Sequence, residues 1–151
     1  MKVIILRGIS GAGKSTYANN MLIASETKGA VRVVSSDMFM TDMDGNYLFD
    51  FRKLPECHAK CLRYFNEEVQ RKNHADTLIV DNTNLTLEEI APYYALVDAY
   101  GHNVEIITIT CDKMLAHSRN VHSVPSATID RMLDTLHSNW KLPARWKHTI
   151  I

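Results

Sequence analysis

The stretch Gly8-Ile9-Ser10-Gly11-Ala12-Gly13-Lys14-Ser15-Thr16 satisfies the spacing G-x-x-x-x-G-K-[ST] at every fixed position. Chance alone gives that pattern in roughly one chain of this size in two hundred, so the match calls for a chemical reading. Gly8, Gly11 and Gly13, with Ser10 and Ala12 between them, let the backbone turn tightly and bring amide N–H groups close to a polyphosphate. A helix opening at Lys14, Ser15 and Thr16 adds further free amides and the positive end of its dipole. In this pattern the lysine, Lys14, reaches the β- and γ-phosphates of a nucleoside triphosphate such as ATP, and the Ser15 hydroxyl ligates Mg²⁺. The bland reading is a glycine turn between a strand and a helix that binds nothing.

Two acids and one arginine extend this chemistry. Asp81 ends the apolar run Thr77-Leu78-Ile79-Val80, where an acid orients Mg²⁺ or its waters; otherwise it orders a loop or caps a helix. Asp37 follows a second strand-like run and is placed to take a proton from an attacking hydroxyl as general base; otherwise it caps a short helix through Met40. Phosphoryl transfer also needs cations over the developing charge, and Arg119, flanked by His117 and His122, is the candidate. Its alternative is an ordinary solvated arginine. Asn82 and Asn84 either contact a ligand or order their own turn. Arg7 abuts the glycine loop as a second possible cation; its alternative is simply to point outward. His58, His74, His102, His137 and His148 show no metal-ligand spacing with cysteines.

The elements that must carry these residues alternate. Lys2 to Arg7 reads as a first strand and Lys14 to Ala24 as a helix with Ala18, Met21 and Leu22 inward. Ala30 to Ser35 reads as a second strand, followed by a polar loop around Asp44-Gly45 and the aromatic run Tyr47 to Phe51. Pro55 fits the first turn of a long helix to about Lys72, with Cys57, Cys61, Leu62, Phe65 and Val69 on one face. Thr86-Leu87-Glu88-Glu89 resembles a capping box, although Pro92 moves the expected helix start toward Ala91. Val104 to Ile109 is a fourth strand and Cys111 to Asn120 a polar, partly helical segment. Ser126 is expected to cap a last helix with Ile129, Met132, Leu133, Leu136 and Trp140 inward, and Thr149 to Ile151 to add a short edge strand. Alternating strands and helices predict an α/β fold with a parallel sheet covered by helices. In such sheets ligands bind at the carboxyl ends of the strands, where the glycine loop, Asp37 and Asp81 all fall.

Composition narrows the function classes. The chain has 151 residues, with 17 Lys plus Arg and 17 Asp plus Glu, a size for one domain spanning residues 1–151. Neutrality disfavours broad, non-specific nucleic-acid binding. The end from Lys113 onward is nevertheless locally positive, carrying Lys113, Arg119, Arg131, Lys141, Arg145 and Lys147 against Asp130 and Asp134. No run reads as a secretory leader or a membrane span, and the cysteines Cys57, Cys61 and Cys111 are few. A reducing, cytoplasmic location is the expectation.

Five stretches together resemble a known group: Gly8 to Thr16; Ser35-Ser36-Asp37-Met38-Phe39; Asp44 to Asp50; Val80-Asp81-Asn82-Thr83-Asn84-Leu85; and Arg119 to Pro125. In that order they resemble the small P-loop kinases of the 5′-hydroxyl polynucleotide kinase type, among the zeta-toxin and AAA-type small P-loop kinases. Similar patterns occur in vertebrate relatives and in the P-loop half of some cyclic-nucleotide phosphodiesterases. The resemblance implies a single-domain P-loop NTPase fold of the kinase type with strand order 2-3-1-4-5 and a lid over about residues 113–125. It implies transfer of the γ-phosphate of an NTP to a 5′-hydroxyl of RNA or DNA. Asp37 then matches the general base, Lys14 and Ser15 the phosphate and Mg²⁺ residues, and Asp81 the acid of a D-x-T-N-type loop. Arg119 falls in the arginine-bearing lid. One position departs: phage polynucleotide kinases carry a substrate-binding arginine three residues after the base, and here that residue is Met40. Two other readings stay open, a small-molecule kinase using a compact hydroxyl acceptor and a nucleotide-binding regulatory module without transfer.

Overall fold

β1 (Lys2–Arg7), β2 (Val31–Val34), β3 (Thr77–Val80), β4 (Asn103–Thr108) and β5 (His148–Ile150) form one sheet in the order β2-β3-β1-β4-β5. Every neighbouring pair is parallel. The computed structural model describes all residues except Met43, Gly45, His74 and the run Asn120, Val121, His122 and Ser123. The expected fold class and strand order therefore hold. β1 is central, paired with β3 on one side and β4 on the other, which explains its uninterrupted apolar run. A strand with sheet on both edges and helices on both faces has no solvated side to carry polar residues.

Two apolar layers sandwich the sheet. Val3 and Ile5 face one, with Leu78 and Val80 of β3, and Ile4 and Leu6 face the other, with Ile79. The first layer is closed by α2 (Leu54–Gln70), through Cys61, Phe65 and Val69, and by α3 (Leu87–Ala99), through Ile90, Tyr93 and Val97. The second is closed by α1 (Lys14–Ala24), α4 (Lys113–Ser118) and α5 (Ser126–Ser138), through Ala18, Ala116, Ile129 and Leu136. Among the described residues no helix is long and apolar enough to cross a membrane.

Several local expectations are corrected. Leu22 is 39% exposed, because the buried side of α1 centres on Ala18 with Tyr17 and Met21 beside it. Pro92 lies inside α3 rather than at its start: the Thr86–Glu89 capping box forms in full and fixes the first turn at Leu87. Ser126 is not the cap of α5. Pro125 holds that position without a side-chain bond, while the Ser126 hydroxyl meets His117 Nδ1 at 3.4 Å. Trp140 is exposed because α5 has already ended at Ser138, so the helical phase no longer turns it inward. One buried residue had no signal: Glu68 on α2 is paired with Arg32 on β2 and with Arg71. Paired burial is the condition under which a carboxylate enters a core.

Candidate active site

The glycine loop leaves β1 at the centre of the sheet. It is pinned from below, since the Gly8 amide donates to the Thr83 carbonyl at 2.9 Å and the Asn84 side chain donates to the Leu6 carbonyl at 2.6 Å. From above, α4 presses on it. A side chain at Gly11 would start 2.2 Å from the Ala116 carbonyl oxygen, and its φ is +82°, so glycine alone fits there. Gly13, at φ +101°, is the left-handed residue that opens α1, and a Cβ on it would meet nothing within 4 Å. No side chain caps α1 and no acid lies in its first turn. The amides of Gly13, Lys14, Ser15 and Thr16 donate to no protein oxygen among the described residues. Four bare amides around open space, at a helix N-terminus, form an anion cradle.

Lys14 completes it. The side chain is 8% exposed, and its ammonium donates to the Ile9 carbonyl at 2.8 Å. Burial lowers its pKa; Asp81, then Asp37, then Cys111 oppose that. Asp37 and Asp81, which lie far apart in the chain, therefore act on one buried cation. Register explains how. Val34 pairs with Val80, so β2 and β3 end level and Ser35 and Asp81 leave the same edge; β1, whose Ile5 pairs with Val80, runs two residues further before the glycine loop begins.

The 3-10 turn Ser36–Phe39 carries Asp37. Its cap is Ser35, whose hydroxyl accepts from the Asp37 amide at 3.2 Å, so the Asp37 carboxylate is not used for capping. The turn is held by Asn82. The Asn82 carbonyl oxygen accepts from the Ser36 amide at 2.8 Å and from the Ser36 hydroxyl at 2.9 Å. The Asn82 amide group meets the Tyr93 hydroxyl at 3.4 Å and Cys61 Sγ at 3.5 Å. Asn82 is buried, and so is Asn84, which sits at φ +46°. Both asparagines are thus architectural; neither side chain is spare for a ligand. Burial raises the pKa of Tyr93 strongly, so it stays a phenol. Met40, three residues after Asp37, is 2% exposed and belongs to the core.

Arg119 is exposed at the C-cap of α4. Its charge and that of Lys14 both reach the Cys111 thiol, against burial and Asp112, which push that thiol up. Arg119 is therefore on the cradle's side of the molecule. α4 is itself fastened: Asp112 caps it by accepting from the Leu115 amide at 2.9 Å, and Lys113 bridges to Asp130 of α5 at 2.8 Å. Residues 120–123 of the expected lid, His122 among them, lie outside the described residues, as do Gly45 and His74. Arg7 does not point outward. It is fully buried and donates to the carbonyls of Leu85 at 3.0 Å, Asn139 at 2.5 Å and Trp140 at 3.4 Å. Burial lowers its pKa, and nearby Glu89 opposes that.

Burial, and after it the negative charge of Asp37, hold the Tyr47 phenol above its ordinary pKa. The donor set suits a triphosphate with Mg²⁺. Ser15 and Asp81 offer hard oxygen ligands, and among the described residues no cluster of three or more His, Cys, Asp or Glu would hold a metal on protein ligands alone. Mg²⁺ is ordinarily held in that way, by one or two protein oxygens, phosphates and water.

Comparison with known proteins agrees with this geometry. Human NEDD4-binding protein 2 is 32% identical over 139 residues, covering 87% of this chain and 7% of that protein. The chain thus spans a small part of that curated relative's length. Among solved structures, a gluconokinase from Sinorhizobium meliloti 1021 superposes with a TM-score of 0.61 at 16% identity, over 99% of this chain and 82% of that one. The Pnkp1/Rnl/Hen1 RNA repair complex gives 0.71 at 17% identity, over 92% of this chain and 45% of that chain. A sugar kinase from a Janibacter species gives 0.63 at 17% identity, over 100% and 84%. At such identities the likeness is one of fold, and the fold is a kinase-like P-loop fold. Residues 3–138 match the model of the AAA domain family AAA_33; the match runs from β1 through α5, across every residue that builds the cradle, and the chain belongs to that family.

Proposed function

We propose that the protein is an ATP- and Mg²⁺-dependent phosphotransferase that moves the γ-phosphate to a hydroxyl, with the 5′-hydroxyl of a polynucleotide or nucleotide as acceptor. The observation that carries this reading is the convergence of Asp37 and Asp81 on buried Lys14 beside four bare amides. The amides from Gly13 to Thr16 and the Lys14 ammonium hold the β- and γ-phosphates. Ser15 and Asp81 are the oxygens that hold Mg²⁺, which when bound neutralises charge on those phosphates. Asp37 takes the proton of the acceptor hydroxyl. The acceptor oxygen then bonds to the γ-phosphorus, the bond from that phosphorus to the β,γ-bridging oxygen breaks, and ADP leaves with its electron pair. Arg119, at the end of α4, adds positive charge over the transferring group.

The polynucleotide acceptor rests on the resemblance in Ser35 to Phe39 and Val80 to Leu85, and on the positive C-terminal segment. A small hydroxyl acceptor is the second reading, favoured by net neutrality and by the burial of Met40, which leaves no arginine there for a phosphate backbone. The three free cysteines fit a reducing compartment such as the cytosol. Incubation with γ-labelled ATP, Mg²⁺ and either a 5′-hydroxyl oligonucleotide or gluconate distinguishes the two. Label on the oligonucleotide supports the first reading, label on gluconate alone the second. ATP binding with transfer to neither leaves the protein a nucleotide-binding module and rejects the kinase.

A further inference from the structure

The core between α2, α3 and the sheet holds a small polar island next to the Asp37 turn. Asn82, Tyr93 of α3 and Cys61 of α2 meet there, all three buried. The Tyr93 ring belongs to the core: it packs edge-on against Phe65, with centroids 4.9 Å apart. A phenylalanine would serve that packing equally well. The hydroxyl has other partners. It donates to Cys61 Sγ at 3.3 Å and accepts from the Asn82 amide group at 3.4 Å, which also meets Cys61 Sγ at 3.5 Å. The other end of the Asn82 carboxamide faces two donors, the Ser36 amide at 2.8 Å and the Ser36 hydroxyl at 2.9 Å. A backbone amide can only donate, so that end is the oxygen and the NH₂ group points into the core. A buried NH₂ group without an acceptor is costly. Tyr93 and Cys61 satisfy it, and of the two the phenol oxygen is the stronger acceptor.

We propose that Tyr93 is a positioning residue for the Asp37 turn: its hydroxyl holds the amide end of Asn82, so that the oxygen end stays on Ser36, the residue before Asp37. The kinetic consequence rests on the phosphotransferase reading of the site; the structural one does not. α3 is a firm base for this task. Its first turn is tied to the segment that carries Asn82, since the Glu89 carboxylate accepts from the Leu85 amide at 2.6 Å and from the Thr86 amide at 3.1 Å. The Leu85 carbonyl in turn takes the Arg7 guanidinium at 3.0 Å, at the entrance to the glycine loop. The helix is thus set against the phosphate side of the molecule, and Tyr93 carries that setting across to Asp37. Without the hydroxyl, the NH₂ group keeps only a thiol sulfur, a weak acceptor. The carboxamide is then free to tilt, Ser36 follows it, and the Asp37 carboxylate loses its fixed place, to which the rate of a positioned base is steeply sensitive.

The test is Tyr93→Phe, with Val97→Ala as the control, because Val97 lies on the same helix and in the same core and its side chain has no polar group to offer Asn82. The first readout needs no activity: hydrogen exchange of the Ser36 amide, taken relative to that of Ile79 in β3. In Tyr93→Phe the Ser36 amide is expected to exchange roughly tenfold faster on that scale, the worth of one hydrogen bond. Val97→Ala should not quicken Ser36 relative to Ile79. The second readout is label transfer from γ-labelled ATP to a 5′-hydroxyl oligonucleotide or gluconate. Tyr93→Phe should lower kcat roughly tenfold with ATP affinity near the wild type, while Val97→Ala keeps kcat within about twofold. Added to Asn82→Ala, Tyr93→Phe should cost no further turnover. Unchanged Ser36 exchange overturns the proposal. So does a kcat that is unmoved in Tyr93→Phe, matched by Val97→Ala, or lowered as much again in the Asn82→Ala background. If Ser36 responds to Tyr93 while Asp37→Asn leaves transfer unaltered, the positioning stands and the phosphotransferase reading falls. If Asp37→Asn stops transfer and Ser36 does not respond, the reading stands and the positioning falls.

Discussion

On the phosphate side, Lys14 is 8% exposed, the start of its loop is bonded to the segment that follows β3, and a helix backbone lies against Gly11. In the loop that follows the Asp37 turn, Leu48, Phe49 and Phe51 are 59%, 56% and 70% exposed, and that loop is held by a short bridge and an Asp42-closed turn. Asp37 sits at the seam: its own turn is locked by buried Asn82, while the exposed loop starts directly after that turn. The contrast matches the two tasks proposed for them. A triphosphate is one invariant shape, so its cradle gains from being rigid before the ligand arrives. An acceptor must enter and leave in every cycle, and segments with few buried contacts open most readily.

The largest test of the contrast is on the rigid side. Lys14→Ala should abolish label transfer, by at least about 10³-fold, since the cradle's cation stabilises the transferring charge; retained turnover would separate the loop from the chemistry. Next is the seam. Asp37→Asn should lower kcat by about 10²-fold or more while leaving ATP affinity, read by calorimetry, near the wild type. Equal loss of ATP affinity in the Lys14 and Asp37 variants would place both on the same side. Asn82→Ala should act on the seam from beneath. Stranding the Ser36 amide and hydroxyl costs about 1–3 kcal/mol, read as a lower unfolding midpoint, with kcat falling more than ATP affinity. The smallest effect is on the open side. Phe51→Ala should leave the thermal midpoint nearly unmoved and raise the KM of a 5′-hydroxyl oligonucleotide roughly fivefold, through loss of base stacking. An unmoved KM would show that the exposed aromatics serve something other than the acceptor.

How much of this was legible in the chain depends on which physics fixed each part. The order of strands and helices was readable because β1 and β3 are apolar runs and α2 has a clear face in Cys57, Cys61, Phe65 and Val69. The glycine loop was readable because its demands are local: a particular backbone and a particular cation. Asp37 and Asp81 could be placed on one edge from strand ends alone. What no local pattern could give was the cross-links between distant segments. Arg7 looks like a charged strand end until the carbonyls of Leu85, Asn139 and Trp140 are brought around it. Asn82 looks like a turn residue or a ligand contact until Ser36 is set against it. The bridge between Thr41 and Tyr47 needs a turn whose closing contacts come from Asp42. Ser126 and Pro92 misled for the converse reason, because a strong local preference yielded to a neighbouring cap or box.

Arg7 has one more consequence. The family match ends at residue 138, yet two of the three oxygens that quench this fully buried guanidinium belong to Asn139 and Trp140. A fragment trimmed at the homology limit would strand a cation in the middle of the first strand's exit, directly under the glycine loop. Solvent, or collapse of that corner, would have to take the place of the missing carbonyls. The smallest autonomous piece of this molecule is therefore longer than the segment its kinship defines, and expression boundaries drawn from sequence similarity would cut through its keystone.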